Sequence, residues 1–172
     1  MKVYIVTAGR GRGKTSFVRA YAARMADGGR SVGGIACPAV FHSDQRIGYD
    51  LIDLRGATQR PLARVAGAPG AGPVVGRYRF EEEAVAEGNA AIMSAVSDGV
   101  DVVVVDEVGP LEFRGQGWAP ALERALEAAG RTQQMLVVTR PSLVDQLSTR
   151  FPSPLWSEAR RVSPPWPDLL SV

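Results

Sequence analysis

Nine residues, Ala8-Gly9-Arg10-Gly11-Arg12-Gly13-Lys14-Thr15-Ser16, follow the apolar run Val3-Tyr4-Ile5-Val6 and constrain the chain more than any other stretch. They read as a strand, a glycine-rich turn and the start of a helix, which is the layout of a phosphate-binding P-loop. Three glycines in five positions let the backbone curl and aim its N–H groups at one point. The helix that follows adds its positive N-terminal end. In this layout Lys14 reaches the β- and γ-phosphates of a nucleotide and the Thr15 hydroxyl ligates Mg²⁺. Ala8 stands where the strict pattern has glycine, which is tolerable if its φ is negative.

Composition sharpens this reading. Lys2 and Lys14 are the only lysines, every other cation being Arg, so a lysine inside the glycine loop is hard to ascribe to chance. At 172 residues with 45% hydrophobic and 22% charged residues, the chain is expected to be one soluble domain, 1–172. It has no apolar run of membrane-spanning length, and no leader is read before the first strand, so a cytoplasmic protein without membrane contact is expected. Cys37 is the sole cysteine, which excludes an internal disulfide. Cys37 and His42 are too few for a zinc site and are read as a core filler and a loop residue.

Taken in order, Lys2–Thr7 is a buried strand and residues 14–27 a helix, with Phe17, Val18, Tyr21, Ala22 and Met25 at helical spacing and Gly28-Gly29 at its end. Residues 31–40 and 46–54 read as a hairpin joined by the polar turn 41–45, an insertion into a βαβ repeat. Residues 55–73 are rich in Gly, Ala, Pro and Arg and read as a loop carrying Arg55, Arg60 and Arg64. A short strand over 74–80 leads into a helix over 81–97. Asp101-Val102-Val103-Val104-Val105-Asp106-Glu107 is a central parallel strand whose C-terminal end emerges at a site. A helix over 118–129, a strand over 134–139, a short helix over 141–149, a strand near 160–162 and a turn near Leu169 complete the chain. The predicted fold class is α/β: a three-layer P-loop fold with a mostly parallel central sheet, helices on both faces and a β-hairpin inserted after the first helix.

Hydrolysis of a nucleoside triphosphate needs charge neutralisation, a positioned metal and an oriented water. Lys14 and the loop amides supply the first, and Thr15 with Asp106, acting through the water shell of Mg²⁺, supplies the second. Glu107 is placed to accept a proton from the attacking water. A two-acid ending favours the P-loop division in which one extra strand separates the two motif strands. Thr139, Arg64, Arg77 and Arg140 are candidates for a γ-phosphate sensor or a cis arginine; Glu112 lies close enough to Asp106 to join an acidic rim but reads first as a surface carboxylate.

With these residues laid out, the chain resembles the small nucleoside-triphosphatase family of the THEP type. The resemblance runs through Gly11-Arg12-Gly13-Lys14-Thr15-Ser16, Arg46-Ile47-Gly48-Tyr49-Asp50, Pro61-Leu62-Ala63-Arg64, Val75-Gly76-Arg77-Tyr78 and Asp106-Glu107-Val108-Gly109 with Leu111-Glu112. It implies a RecA-like fold and Mg²⁺-dependent hydrolysis of ATP, GTP and other nucleoside triphosphates, with broad base tolerance. Ala8, the loop arginines Arg10 and Arg12, and Pro110 depart from the family pattern, and the last third is only vaguely similar.

Two other readings use the same motifs. One is a P-loop kinase passing the γ-phosphate to a small molecule or nucleotide; the other is a slow nucleotide-switched binding module. Nucleic acid is not an expected partner, because the arginines are scattered rather than gathered with aromatics on one face. A monomer or weak homo-oligomer is expected.

Overall fold

A computed structural model describes residues 1–67, 72–128 and 132–167. The elements in chain order are β1 (Lys2–Thr7), α1 (Lys14–Asp27), β2 (Val32–Ala36), β3 (Ala39–His42), β4 (Gln45–Asp53), β5 (Gln59–Val65), β6 (Val74–Val75), β7 (Tyr78–Phe80), α2 (Glu82–Ser97), β8 (Val102–Val108), α3 (Ala119–Glu127), β9 (Gln134–Thr139), α4 (Leu147–Arg150) and β10 (Arg160–Val162). All the strands join one sheet in the order β10-β1-β9-β8-β2-β4-β5-β7-β6, with β3 on the flank of β4.

The central strands are apolar through their middles, Val3–Val6, Val102–Val105 and Met135–Val138, because both of their faces are covered there. Alternate side chains enter different layers. Tyr4, Val6, Val102, Val104, Leu136 and Val138 pack with Val18, Tyr21 and Met25 of α1. Val3, Ile5, Val103, Val105, Met135 and Val137 pack on the other face with Ile92 of α2 and Leu122 of α3. Each such side chain removed from water contributes roughly 1.5–3 kcal/mol before the entropy of ordering it is counted. The α2–α3 contact closes over Gly88, where a Cβ would stand 2.4 Å from the Trp118 ring.

The sheet has two halves. β10, β1, β9, β8 and β2 run parallel. From β4 outward every pairing is antiparallel. The sheet is therefore mixed α/β, with a larger antiparallel part than the sequence suggested. One cause is β5, which occupies part of the stretch read as a loop; Leu62 and Ala63 are buried against the core despite the polar, proline-containing surroundings. Another is the break at Cys37-Pro38, which divides the expected strand 31–40 into β2 and β3. The expected helix over 141–149 is a 3-10 segment running into α4. Residues 68–71 of the predicted loop, Ala129 and the turn near Leu169 lie outside the described residues.

β9 lies between β1 and β8, so one strand separates the glycine turn from the two acids. Both features still leave the sheet at the same edge, since all three strands are parallel. Among the described residues no helix is long and apolar enough to cross a membrane.

Candidate active site

The glycine turn closes on itself before α1 begins. Gly11 and Gly13 adopt left-handed φ of 72° and 78°, which costs a residue without Cβ little. Ala8 is not among the left-handed residues, so its methyl is accommodated. The Lys14 ammonium folds back and donates to the carbonyls of Ala8 at 3.0 Å and Gly9 at 3.2 Å. Burial pushes the Lys14 pKa down, Glu107 and Asp106 pull it back up, and Arg140 and Arg46 lower it again. Lys14 is buried and lines one cavity with Glu107, Arg46 and Arg140. Arg10, Arg12 and Ser16 are exposed and line the mouth of the cavity around Lys14.

Asp106 and Glu107 come together through an irregularity in β8. Val105 is level with Val137, but Val108 is level with Thr139, so β8 carries one extra residue at this point. Glu107 takes a left-handed φ of 57°, uncommon for a residue with a side chain. This bend re-aims two neighbours that an unbroken strand would send to opposite faces. The Thr139 hydroxyl donates to the Val108 carbonyl at 2.7 Å and braces the bulge. Thr139, a candidate γ-phosphate sensor, is buried with its hydroxyl proton engaged in this bond.

The Asp106 carboxyl is wholly buried. It accepts from the Cys37 amide at 2.9 Å and the Glu107 amide at 2.8 Å, and from the Thr15 hydroxyl. Burial, then the charge of Glu107, raises its pKa to about 6 against these three donors. A carboxyl whose pKa is higher in the folded than in the unfolded chain lowers stability as pH rises between the two values. From 3.8 to about 6 the penalty reaches on the order of 3 kcal/mol, full above the upper value and absent below the lower. An amide here sets its NH2 against one of the two backbone N–H donors, which costs roughly 1–3 kcal/mol at any pH. Asp106→Asn is therefore expected to fare better relative to the parent near pH 8 than near pH 4, by on the order of 2–3 kcal/mol. Urea unfolding at the two pH values measures this; equal effects at both would exclude the burial penalty as its source.

Glu112 is not the surface carboxylate expected from sequence. It is 3% exposed and accepts from the amides of Gly109 at 2.7 Å and Trp118 at 2.9 Å, so it clamps the loop that follows the acids. Burial raises its pKa to about 7.

The arginine candidates separate. Arg140 lines the cavity around Lys14 with Glu107. Arg64 is committed elsewhere, to Asp50 and to the Tyr49 carbonyl at 2.6 Å. Arg77 donates to the Arg46 carbonyl, holding the residue that sequence reasoning had quoted but not assigned. Arg46 reaches from β4 to the glycine turn, with one guanidinium nitrogen 3.9 Å from where a Cβ on Gly11 would stand. It lies 5.4 Å from the Phe41 ring centre and 5.5 Å from that of Tyr49, and donates to the Tyr49 hydroxyl at 3.0 Å. Its Nε is buried without a partner among the described residues. The only sequence signal was an arginine between aromatics on a strand.

Among the described residues no cluster of three or more His, Cys, Asp or Glu could cage a metal. The adjacent Thr15 hydroxyl and Asp106 carboxyl are hard oxygen donors, which suits a cation that completes its shell with water and phosphate oxygens.

A glycine turn with a lysine over a parallel sheet, facing a carboxyl pair one strand beyond its neighbour, is consistent with the P-loop class of α/β proteins. A family model described as NTPase matches residues 3–154. Nucleoside-triphosphatase THEP1 of Thermofilum pendens is 38% identical over 128 residues, covering 74% of this chain and 69% of the relative. The protein of the same name from Methanopyrus kandleri is 36% identical over 125 residues, covering 72% and 67%. The chain belongs to the NTPase family, in its THEP-type branch. A solved human protein described as a cancer-related nucleoside triphosphatase shares the fold, with a TM-score of 0.68 at 22% identity over 95% of this chain and 90% of that one.

Proposed function

We propose that the protein is a Mg²⁺-dependent nucleoside-triphosphate phosphohydrolase, converting NTP and water to NDP and phosphate. The observation that carries the reading is the convergence of Lys14, Thr15, Asp106 and Glu107: Lys14, Thr15 and Glu107 line one cavity, and Asp106 accepts from the Glu107 amide at 2.8 Å. The loop 8–16 wraps the β- and γ-phosphates with its amides. Lys14 exchanges the Ala8 and Gly9 carbonyls for phosphate oxygens. Thr15, with Asp106 through the water shell, would hold Mg²⁺, which when bound would supply charge neutralisation for the phosphates. Glu107 orients the attacking water and accepts its proton. Arg140 and Arg46 face the γ-phosphate end and balance charge there.

Residues 1–172 act in this reading as one three-layer, RecA-like P-loop unit in the cytoplasm, as a monomer or weak homo-oligomer. Base tolerance follows the THEP-type resemblance. Nucleic acid has no part in it: surface arginines such as Arg55, Arg60, Arg150 and Arg161 are paired with carboxylates. Purified protein is expected to release phosphate from ATP, GTP, CTP and UTP with Mg²⁺ and to stop when EDTA removes it. Phosphate release that persists in EDTA would undo the metal assignment, and none from any nucleotide would undo the hydrolase.

A further inference from the structure

The geometry points to a second small-molecule site beside the phosphate cradle, shaped for a nucleoside monophosphate: a planar ring carrying a phosphate monoester. It rests on the nucleotide reading above, because the cradle fixes which wall of the new site faces the γ-phosphate. Around Lys14 and Thr15 the cavity is about 370 Å³. Next to it lies a larger one of about 650 Å³. Arg10, Phe41, Arg46, Tyr49, Glu107 and Arg140 border both and form the seam between them. Leu62, Tyr78, Phe80 and Trp118 border only the larger.

A hydrolytic water occupies about 30 Å³, so proton abstraction by Glu107 gives no reason for a space of this size. Its volume falls within the range of small-molecule sites. Four aromatic side chains line it, Phe41, Tyr49, Tyr78 and Phe80, over a buried Trp118; Tyr49 and Tyr78 lie edge to face at 5.4 Å, Arg46 sits over Phe41 and Tyr49, and Arg77 over Tyr78. Such rings stack on a base of any identity. The polar side is arginine-rich. Arg10, Arg46, Arg77 and Arg140 face Asp44, Glu107 and Glu112, and both Glu112 oxygens are taken by backbone amides. Arg10 and Arg140 form no salt bridge among the described residues, and the Arg46 Nε lacks an acceptor. Guanidinium forks set among aromatic rings match a phosphate monoester on a nucleoside. The seam sets that phosphate toward the γ-phosphate end of the cradle, where the attacking water enters. An occupant therefore excludes the water and slows hydrolysis without competing for the cradle.

The test uses the full chain saturated with Mg²⁺ and ADP, so that the cradle is filled, and titrates it calorimetrically with AMP, CMP, GMP, UMP and TMP. One molar equivalent of at least one of them is expected to bind, and the same compound to lower phosphate release noncompetitively with ATP. Tyr78→Ala removes a stacking wall and is expected to weaken the probe about tenfold with basal hydrolysis unchanged. Val75→Glu, on the edge strand β6, sets a carboxylate in the same wall and is expected to do likewise if Tyr78→Ala fails to fold. Appearance of a phosphorylated probe would support the site equally, because only a molecule at the seam reaches the γ-phosphate. Absence of binding by all five at millimolar concentration, while ADP binds, would overturn the second site and leave the cradle intact. Failure of ADP itself to bind would overturn the nucleotide reading instead.

Discussion

Glu107→Gln is expected to lower the turnover number for phosphate release by about 10²–10⁴-fold, the usual range for loss of a positioned general base. The amide keeps the size of the side chain and leaves the Glu107 backbone N–H on the Asp106 carboxyl, 2.8 Å away. The bulge therefore survives, together with the left-handed φ of 57° that aims the side chain. What is lost is the basic oxygen. Binding of ADP with Mg²⁺ is expected to stay close to the parent's, because Thr15, Asp106 and Lys14 are untouched. Single-turnover phosphate release and equilibrium nucleotide binding, measured on one preparation, separate the two effects. Parent-like turnover in the variant would remove Glu107 from the chemistry.

Lys14→Ala is expected to damage binding and chemistry together, with kcat/KM lower by about 10³-fold, as when one preorganised cationic or N–H donor to developing charge is deleted. Lys14 is buried, and the two acids already offset part of the burial penalty on its ammonium. It is a charge stored before the nucleotide arrives, and its present acceptors, Ala8 and Gly9 carbonyls, belong to the cradle itself. Alanine favours the helix that begins here, so α1 is expected to persist and the loss to be functional rather than structural. Nucleotide titration, turnover and thermal unfolding of the variant check the three parts. Unaltered affinity would mean that the loop amides alone hold the phosphates.

The sequence made the parallel half of this molecule readable because its signals are local. Val3 to Val6, the glycines at 9, 11 and 13, and the valines before Asp106 each identify their element within a few residues. The antiparallel half was harder. β5 contains Arg60, Pro61 and Arg64 and shows neither alternation nor β-branched enrichment; its burial comes from partners far along the chain, including Phe80 level with Ala63. Glu112 looked like a solvated acid because its ligands are backbone amides, which no side-chain pattern records. Arg46 escaped assignment for a related reason: it reaches the glycine turn by folding of the β3–β4 hairpin, across 35 residues of sequence from Gly11.

Val105 and Val108 both enter the core under α2 and α3 although they stand three positions apart. A continuous strand repeats every two residues, so it cannot present both to one layer. The acidic pair is in effect spliced between two in-phase valines, and the apolar code resumes after it as though nothing had intervened. Residues 106 and 107 therefore bring two carboxyls to the strand's end without shifting the phase of the apolar code on either side.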